Sequence, residues 1–484
     1  MTPAAKLVNR SQILEIPEIV SLDARDAFMR IPPELDAPLT PRVRKIVDSR
    51  AFRRLADVSQ LGFVRFVYPG ATHARFEHSL GAYRLALLLV KRFARDDRFV
   101  ALVKASEAET LILAALLHDV GHFPFCHLLE DLKTPGLVSH EEAAQEYLLG
   151  ELDPIIRNDW ALDPRDVCDL LAKRDPAPRT NETDDERKRR RKVFRLLSSI
   201  LSGPIDVDKM DYLMRDSVAS GVPYGKNYDL DRLIGSLCLN AEGDGVAVSN
   251  KGKTAAELMV FARYVMFSEV YWHHAARAAT AMFQRAVRFL CEALDEPDFP
   301  ASLRNATDSE IKSLLRERVE RAENAARMQG DSDKLDAARK AKKLLAGLFG
   351  EQRLLFKRAR EFSAMEAPDL YPRIAGLPYD DVCAVSDLFA KRLGLEPEDL
   401  LLDAPPVDKE VEFKIDVYYP RENVYRPLSD VSPVVRALAR EQFDDVVKRA
   451  RVFVDRRVVE RVKDRDDFDD LLRAALDDFD ARRA

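Results

Sequence analysis

The segment ETLILAALLHDVGH, residues 109–122, restricts the fold of this chain more than any other. Every residue from Leu111 to Leu117 is apolar, which predicts a helix buried on all its faces inside a large core. His118 and Asp119 follow directly, and such groups are costly to bury unless a hydrogen bond, an ion pair or a metal satisfies them. The sequence therefore predicts a polar centre at the end of a core helix.

The composition is that of a helix-rich globular protein. Of the 484 residues, 46% are hydrophobic and 33% are charged, which is enough apolar surface for a large core. The net charge of -6 argues against a general nucleic-acid binder. There is no apolar stretch long enough for a signal peptide or a membrane span, and the five cysteines lack CxxC spacing, as free thiols in a reducing compartment do. We therefore expect a cytoplasmic protein without a membrane partner.

Periodicity divides the chain into three predicted parts. Residues 1–42 contain several prolines and are predicted to form an irregular N-terminal arm. Residues 43–295 show helical periods and form the predicted core, in which the charged segment 173–192 is a flexible loop. Residues 296–484 form a predicted C-terminal lobe of helices and strands. The expected fold class is mainly α, with small β-hairpins and an α+β lobe at the C-terminal end.

Five shorter patterns predict individual elements. They are a hairpin in 235–250, one long helix in 253–295, helices interrupted near Gly330 in 308–363, a strand in 411–419, and an amphipathic helix in 466–484 that docks onto the body of the protein.

The histidines are strongly clustered. Six of the eight lie between residues 73 and 140, and imidazole is the commonest side chain for metal ligation and for proton transfer near neutral pH. One buried histidine is usually a satisfied core residue, but six with one His-Asp pair indicate a site. His118 and His122 are four residues apart, so they share a helix face only if the helix continues through Gly121. The six are His73, His78, His118, His122, His127 and His140.

A second polar pattern, IDVDKMDYLMRDS at 205–217, can present Asp208 and Tyr212 on one helical face. We therefore predict a metal centre whose imidazole and carboxylate ligands suit iron, manganese, nickel or zinc better than calcium. Such a centre can activate water and polarise a phosphoryl oxygen, with Arg75 and Lys209 placed to neutralise a polyphosphate. The predicted ligands are His78, His118, Asp119 and Asp208.

Four blocks of sequence resemble the HD-domain phosphohydrolases, and most closely the deoxynucleoside triphosphate triphosphohydrolases. They occur in the family's order, and the resemblance covers roughly residues 43–290 before it weakens. The HD pair alone is a weak signal, whereas the ordered set is specific. The blocks are YPGATHARFEHSLG (68–81), LLHDVGHFPFCH (116–127), HEE (140–142) and IDVDKMDYLMRD (205–216).

This resemblance implies a role for each matching residue, beginning with a divalent metal (Fe, Mn, Zn, Ni or Mg) on the four predicted ligands. It implies acid/base candidates that line a phosphate site, namely His122, His127 and His140, with Glu130 in support where the family usually has Asp. It implies triphosphate contacts from Arg75, Lys209, Tyr212 and Arg263. It implies sugar contacts from Asp216 and Tyr271, and a pair that disfavours a 2′-hydroxyl, Gln60 and Leu61.

The chain also departs from the family. Phe267 and Trp272 replace polar residues near the base, so base preference does not carry over. In the segment VDSRAFRRLAD, which resembles the regulatory nucleotide site, Asp48 and Arg54 remain while Arg53 and Ala56 differ. The resemblance thus implies a homo-oligomer, a dimer or a tetramer, and leaves a regulatory nucleotide open.

The expected reaction is hydrolysis of a dNTP to a deoxynucleoside and triphosphate. One alternative is an HD phosphohydrolase that acts on an alarmone or a cyclic nucleotide. Another is a catalytically silent protein that binds nucleotides or nucleic acid, for which the basic run 187–192 is the best support. Nucleic acid is nevertheless not the expected partner.

Overall fold

The computed structural model confirms a mainly helical fold with small sheets. It describes residues 2–24, 27–33, 35–296, 298–406, 414–441 and 447–483. In chain order the helices are α1 (Pro3–Leu14), α2 (Pro17–Ala24), α3 (Pro41–Val47), α4 (Arg50–Arg53), α5 (Arg75–Phe93), α6 (Asp97–Leu102), α7 (Ala105–Leu117), α8 (Cys126–Glu130), α9 (His140–Leu148), α10 (Asp153–Asn158), α11 (Pro164–Leu171), α12 (Asp184–Ser202), α13 (Val207–Ser220), α14 (Leu230–Ser236), α15 (Lys253–Met266), α16 (His274–Ala293), α17 (Phe299–Ser302), α18 (Asp308–Gln329), α19 (Ser332–Phe349), α20 (Tyr371–Ile374), α21 (Tyr379–Arg392), α22 (Leu428–Val431), α23 (Pro433–Glu441), α24 (Val459–Val462) and α25 (Phe468–Arg483).

The strands form three small sheets. β1 and β2 make an antiparallel hairpin, and the order β3-β4-β7-β8 makes a second sheet in which β4 and β7 are parallel. The third sheet has the antiparallel order β5-β9-β6 and belongs to the C-terminal lobe. The strands are β1 (Phe28–Ile31), β2 (Leu35–Pro38), β3 (Leu237–Leu239), β4 (Val246–Ser249), β5 (Lys357–Phe362), β6 (Leu400–Asp403), β7 (Asp416–Tyr419), β8 (Val424–Pro427) and β9 (Ala450–Val454).

The core is built around α7, as the apolar run predicts. Each side chain from Leu111 to Leu117 is fully buried. α5 packs against this helix and α13 packs against α5, all within the same hydrophobic cluster. Burial of one such Leu or Ile side chain contributes about 1.5–3 kcal/mol. The three helices therefore form a rigid support for the polar residues at their ends.

The prediction of an irregular N-terminal arm is wrong. Its prolines begin helices: Pro3 opens α1 after the capping residue Thr2, and Pro17 opens α2. Ile13 and Ile19 are buried in the main core, and Asn9 donates hydrogen bonds to the backbone carbonyls of Val100 and Val103 at the C-terminal end of α6. The segment is thus part of the body of the protein, while the predicted domain boundaries themselves stay predictions.

The prediction of a flexible loop over 173–192 is wrong from residue 184 onward. Thr183 and Glu186 form a capping box that starts α12, and acidic residues fill its first turn, where they favour the helix dipole. Arg190 is buried against Glu182 at 2.7 Å, and Arg189 pairs with Glu107 at 2.6 Å. Two arginines of the basic run are therefore engaged inside the protein.

The single long helix predicted over 253–295 is wrong, because it breaks in the middle. α15 ends at Met266, a π-helical turn covers Phe267–Tyr271, and α16 starts at His274. The turn directs the Tyr271 hydroxyl to Asp216 of α13, 2.7 Å away. The break thus serves the polar site, and apolar periodicity alone cannot reveal it.

Other predicted elements have mixed outcomes. The hairpin in 235–250 is confirmed as β3–β4, and the terminal helix is confirmed as α25, docked through buried Phe468 and Leu472. α18 and α19 confirm the helices around Gly330, whose φ of +69° ends α18. Residues 350–363 contain β5 rather than a helix. The predicted strand 411–419 is observed as β7, and residues 411–413 lie outside the described residues.

α16 connects the two halves of the molecule. Its buried Phe283 and Leu290 share one hydrophobic cluster with Leu315 of α18, Leu344 of α19 and Phe453 of β9. Within the described ranges, there is no helix with the length and apolarity needed to cross a membrane.

Candidate metal centre

Three core helices bring the four predicted metal ligands together. His78 lies on α5, His118 and Asp119 follow the end of α7, and Asp208 lies on the first turn of α13. The Nε2 atom of His78 is 3.1 Å from Nε2 of His118, 3.0 Å from Oδ1 of Asp208 and 3.9 Å from Oδ2 of Asp119. Four donor atoms thus converge from distant parts of the chain.

The outer nitrogens of the two imidazoles are anchored. Nδ1 of His78 donates to Oδ2 of Asp211 at 2.8 Å, and Nδ1 of His118 donates to the carbonyl of Ala115 at 2.9 Å. These bonds leave Nε2 of each ring for the centre, which is how proteins orient metal-binding histidines. Asp211 in turn accepts two hydrogen bonds from Arg215, both 2.8 Å long.

Asp211 and Arg215 belong to this centre, and the sequence prediction assigns neither of them a role. Both lie in the acidic pattern of residues 205–217, and their spacing of four residues is a usable signal. Gly81 of α5 makes their position feasible, since an added Cβ there would lie 1.8 Å from Oδ1 of Asp211. A glycine is therefore required where α5 and α13 meet.

The electrostatics of the centre fit a cation. Burial opposes a charge on His78, but hydrogen bonds with Asp208 and Asp211 outweigh it and raise the pKa of His78 to about 10. Burial likewise opposes ionisation of Asp208, yet the bond with His78 lowers the pKa of Asp208 to about 2. Despite its burial, Asp119 has a pKa held well below the usual range by His122 and Arg75. Three ionised carboxylates thus surround two imidazoles.

The donor set also fits the geometry of a divalent transition metal. Ligand atoms about 2.1 Å from one ion and about 90° apart lie about 3.0 Å from each other. The separations of 3.0–3.9 Å around His78 Nε2 are of this size. Two nitrogen and two oxygen donors suit iron, manganese, nickel or zinc. His78, His118, Asp119 and Asp208 would hold such an ion.

A second histidine cluster lies beside the first. α7 does not continue through Gly121, so the helical face shared by His118 and His122 does not form. Instead the chain turns at Gly121, where an added Cβ would lie 1.9 Å from the carbonyl oxygen of His140. This close approach places the rings of His122 and His140 4.2 Å apart, with the ring of His127 5.2 Å from each.

Glu130 holds two of these histidines. Its carboxylate accepts from Nδ1 of His140 at 2.9 Å and lies 3.4 Å from Nδ1 of His127. Burial lowers the pKa of His140, but the bond with Glu130 outweighs it and the net pKa is raised. Burial and the charge of Arg75 hold the pKa of His122 well below its usual range. The environment therefore shifts the pKa values of His122 and His140 in opposite directions.

A cleft of about 280 Å³ opens next to both clusters. Among the described residues, four of the predicted substrate contacts line it: Gln60, Leu61, Arg75 and Tyr271. Arg75 joins the cleft to the metal centre, since its Nη1 donates to Oδ2 of Asp119 at 2.9 Å.

The remaining predicted contacts are not among the residues that line the cleft. Asp216 is buried and accepts hydrogen bonds from His73 at 2.8 Å and Tyr271 at 2.7 Å. The ammonium of Lys209 lies 2.6 Å from Asp206. Tyr212 and Arg263 belong to this same group. Burial raises the pKa of Tyr212, and the nearby charges of Arg263 and Lys209 oppose this rise without cancelling it.

One part of the cleft has an aromatic and cationic lining that the sequence only partly indicates. Phe267 stacks on Trp272 at 5.6 Å, and the guanidinium of Arg277 lies over the indole at 4.3 Å from the ring centroid. Arg277 pairs with Asp403 of β6, so the C-terminal lobe fixes this end. Arg54, in the segment that resembles a regulatory nucleotide site, donates hydrogen bonds to the carbonyls of Val120 and His122.

Family profiles match most of the chain. The HD domain matches residues 75–214, and the HD associated region matches residues 228–477. An uncharacterized protein of Methanocaldococcus jannaschii, MJ1154, is 30% identical over 403 residues, which are 80% of this chain and 78% of that protein. The uncharacterized Bacillus subtilis protein YwfO is 31% identical over 255 residues, 52% of either chain.

An enzyme of known activity is also similar. The human deoxynucleoside triphosphate triphosphohydrolase SAMHD1 is 30% identical over 215 residues, 40% of this chain and 33% of that enzyme.

Solved structures share the fold. A hypothetical protein from Aquifex aeolicus superposes with a TM-score of 0.64 at 24% identity, over 90% of this chain and 98% of that chain. A phosphohydrolase from Bacteroides thetaiotaomicron superposes with a TM-score of 0.62 at 22% identity, over 89% and 99%. The chain therefore belongs to the HD-domain family, with an HD associated region after the HD domain.

Proposed function

We propose that the protein is a metal-dependent triphosphohydrolase that converts a dNTP and water to a deoxynucleoside and triphosphate. The observation that carries this proposal is Arg75, which lines the cleft and also donates to the metal-centre residue Asp119. A phosphoryl group held by Arg75 would therefore lie against the centre. The similarity to SAMHD1 over the HD domain supports the same substrate class.

The residues divide the chemistry among them. A divalent cation, when bound, would supply Lewis-acid activation of water and of an α-phosphoryl oxygen. Arg75 and Lys209 would neutralise the triphosphate, whose displacement depends mainly on positioning and charge. His127 would protonate the departing 5′-oxygen, because its side chain is 61% exposed and, among the described residues, it alone of the three clustered histidines lines the cleft.

Glu130 would orient His127 for this step. His122 and His140, whose rings each lie 5.2 Å from that of His127, would support it from behind, and Asp216 with Tyr271 would hold the sugar. Gln60 and Leu61 would pack against the deoxyribose, where a 2′-hydroxyl would meet an apolar side chain without a hydrogen-bond partner. Leu61→Ala should therefore raise the rate on NTPs relative to dNTPs.

Three further features belong to the proposal. We propose a homo-oligomer and a cytoplasmic location, and we leave the need for a regulatory nucleotide to experiment. A silent nucleic-acid-binding scaffold is disfavoured, since all four metal donors converge and Arg189 and Arg190 form internal ion pairs.

Product analysis tests the proposal. The protein is incubated with each dNTP and NTP, singly and mixed, with Mn²⁺ or Mg²⁺, and the phosphate product is identified. Triphosphate release from dNTPs is the expected result. Pyrophosphate or a 5′-monophosphate, released from these or from alarmone and cyclic nucleotides, would instead indicate another HD phosphohydrolase.

A further inference from the structure

A soft-metal donor set lies beside the oxygen-rich centre. His122, Cys126 and His140 each offer one ligand atom, and these atoms all lie within 4.8 Å of one another. Cys126 is 3% exposed and His122 is 5% exposed. The set is thus mostly shielded from water, unlike the chance groupings of acidic residues on protein surfaces.

A buried nitrogen of His122, Nδ1, makes no hydrogen bond within the part of the chain that the structure describes. Oδ1 of Asp119 lies 3.1 Å away, but the direction does not satisfy a hydrogen bond. Buried polar atoms in native proteins are rarely left without a partner, so this one points to a missing ligand.

His140 is prepared in the same way as a ligand of the first centre. Glu130 holds Nδ1 of His140 at 2.9 Å, just as Asp211 holds Nδ1 of His78. Nε2 of His140 contacts the half-exposed Glu141 at 3.3 Å, an interaction of little energy at a solvated position. A carboxylate on one ring nitrogen with the other nitrogen available is the usual arrangement around a bound metal.

We propose that His122, Cys126 and His140 form a second cation site, selective for a thiophilic divalent ion such as zinc. Two nitrogens and one sulfur suit zinc or cobalt, whereas magnesium and manganese prefer oxygen. Ligands around tetrahedral zinc lie about 3.5 Å apart, so a span of 4.8 Å must close by at most roughly 1.3 Å.

Binding of a metal ion at this site would release protons. The thiol of Cys126 would lose its proton to solvent as the sulfur–metal bond forms, and His140 would lose its proton in the same way. His127 stays free to act as the proton donor. The inference goes beyond the proposed function, because it holds for whichever nucleotide the enzyme hydrolyses.

Cobalt substitution tests the proposal. The chelator-treated protein is titrated with Co²⁺ and followed by absorption and by metal analysis. We expect two bound equivalents and a thiolate-to-cobalt charge-transfer band that added Zn²⁺ abolishes. One bound equivalent without that band would overturn the proposal, whatever the enzyme hydrolyses.

Variants assign the band. Cys126→Ser should lose it, while Cys168→Ser, at a buried thiol of α11, should keep it. His118→Ala should keep the charge-transfer band but bind one equivalent of cobalt fewer, which distinguishes the two sites. If Cys126→Ser does not fold, the zinc-displaceable band of the wild-type protein still decides, since a protein lacking it has no thiolate site. A band retained in Cys126→Ser would also defeat the assignment.

Discussion

The two histidine clusters contain the same residue types, imidazoles and carboxylates, but place them in different environments. In the first, the side chains of His78 and His118 are 1% and 13% exposed. In the second, His140 and His127 are 20% and 61% exposed. The two imidazoles of the first cluster are therefore enclosed, while the second cluster extends from the core to the cleft.

The balance of charge separates the clusters further. Asp119, Asp208 and Asp211 supply three carboxylates to the first cluster, whereas Glu130 holds two histidines of the second. An excess of buried negative charge is costly without a cation. The affinity that we expect of the first centre thus comes from its carboxylates and anchored rings more than from the number of its histidines.

Removal of a first-cluster ligand should have the largest effect. His118→Ala or Asp208→Ala should abolish binding at this centre and reduce turnover to background, because the remaining donors cannot close around an ion. Metal analysis and the product assay measure both losses. The exposed His274→Ala is the matched control and should retain metal and activity. Normal activity of either ligand variant would contradict the assignment.

Removal of the exposed histidine should affect chemistry without affecting the first centre. His127→Ala should lower kcat by about 10²- to 10⁴-fold, the usual contribution of a general acid. Its metal content should match that of the wild type. If the variant loses metal at the first centre instead, the two clusters are not separate in function.

Loss of the anchor of His78 should give an intermediate effect. Asp211→Asn keeps the size of the side chain but weakens the bond that orients the ring, so metal affinity should fall about 10- to 100-fold. Excess metal should restore kcat, which a lost ligand would not allow. Titration with Mn²⁺ under the product assay shows the difference, and kcat that stays low at saturating metal would assign Asp211 another role.

The metal ligands could be predicted because each leaves a local trace. His118 and Asp119 end an apolar run, and Asp208 lies in an acidic pattern interleaved with apolar residues. The buried helix α7 could be predicted for the same reason, since periodicity and hydrophobicity act over a few turns.

What the sequence could not reveal depends on contacts between distant segments. The close approach of Gly121 to His140 decides which histidines cluster, and no pattern around either residue encodes it. The π-helical turn before Trp272 and the link from Arg277 to Asp403 are likewise tertiary features. The prolines of the first helices misled for a different reason, because Pro is compatible with the first turn of a helix as well as with a loop.

The smallest predicted effect concerns the pH dependence of stability in the second cluster. Glu130 has a lowered pKa, despite burial, through its bonds with His127 and His140, and the pKa of His140 is raised. A carboxylate whose pKa is lowered on folding stabilises the folded protein at pH values above its unfolded pKa of about 4.3. An imidazole whose pKa is raised on folding stabilises the folded protein at pH values below its unfolded pKa of about 6.5. The pair therefore contributes most between these values, and its contribution falls as the pH rises through the pKa of His140.

Glu130→Gln in the metal-free protein measures that contribution. We expect the free energy of unfolding to fall by about 1–2 kcal/mol near pH 5.5, a value that already allows for the partial exposure of the pair. At pH 9 the decrease should be smaller. Glu141→Gln is the control, because its contact with His140 is half exposed and should contribute little at either pH. Denaturant unfolding at the two pH values gives both differences. A loss that is equal at pH 5.5 and pH 9 would show that Glu130 acts by packing, and the second cluster would then lack the charge coupling that distinguishes it from the first.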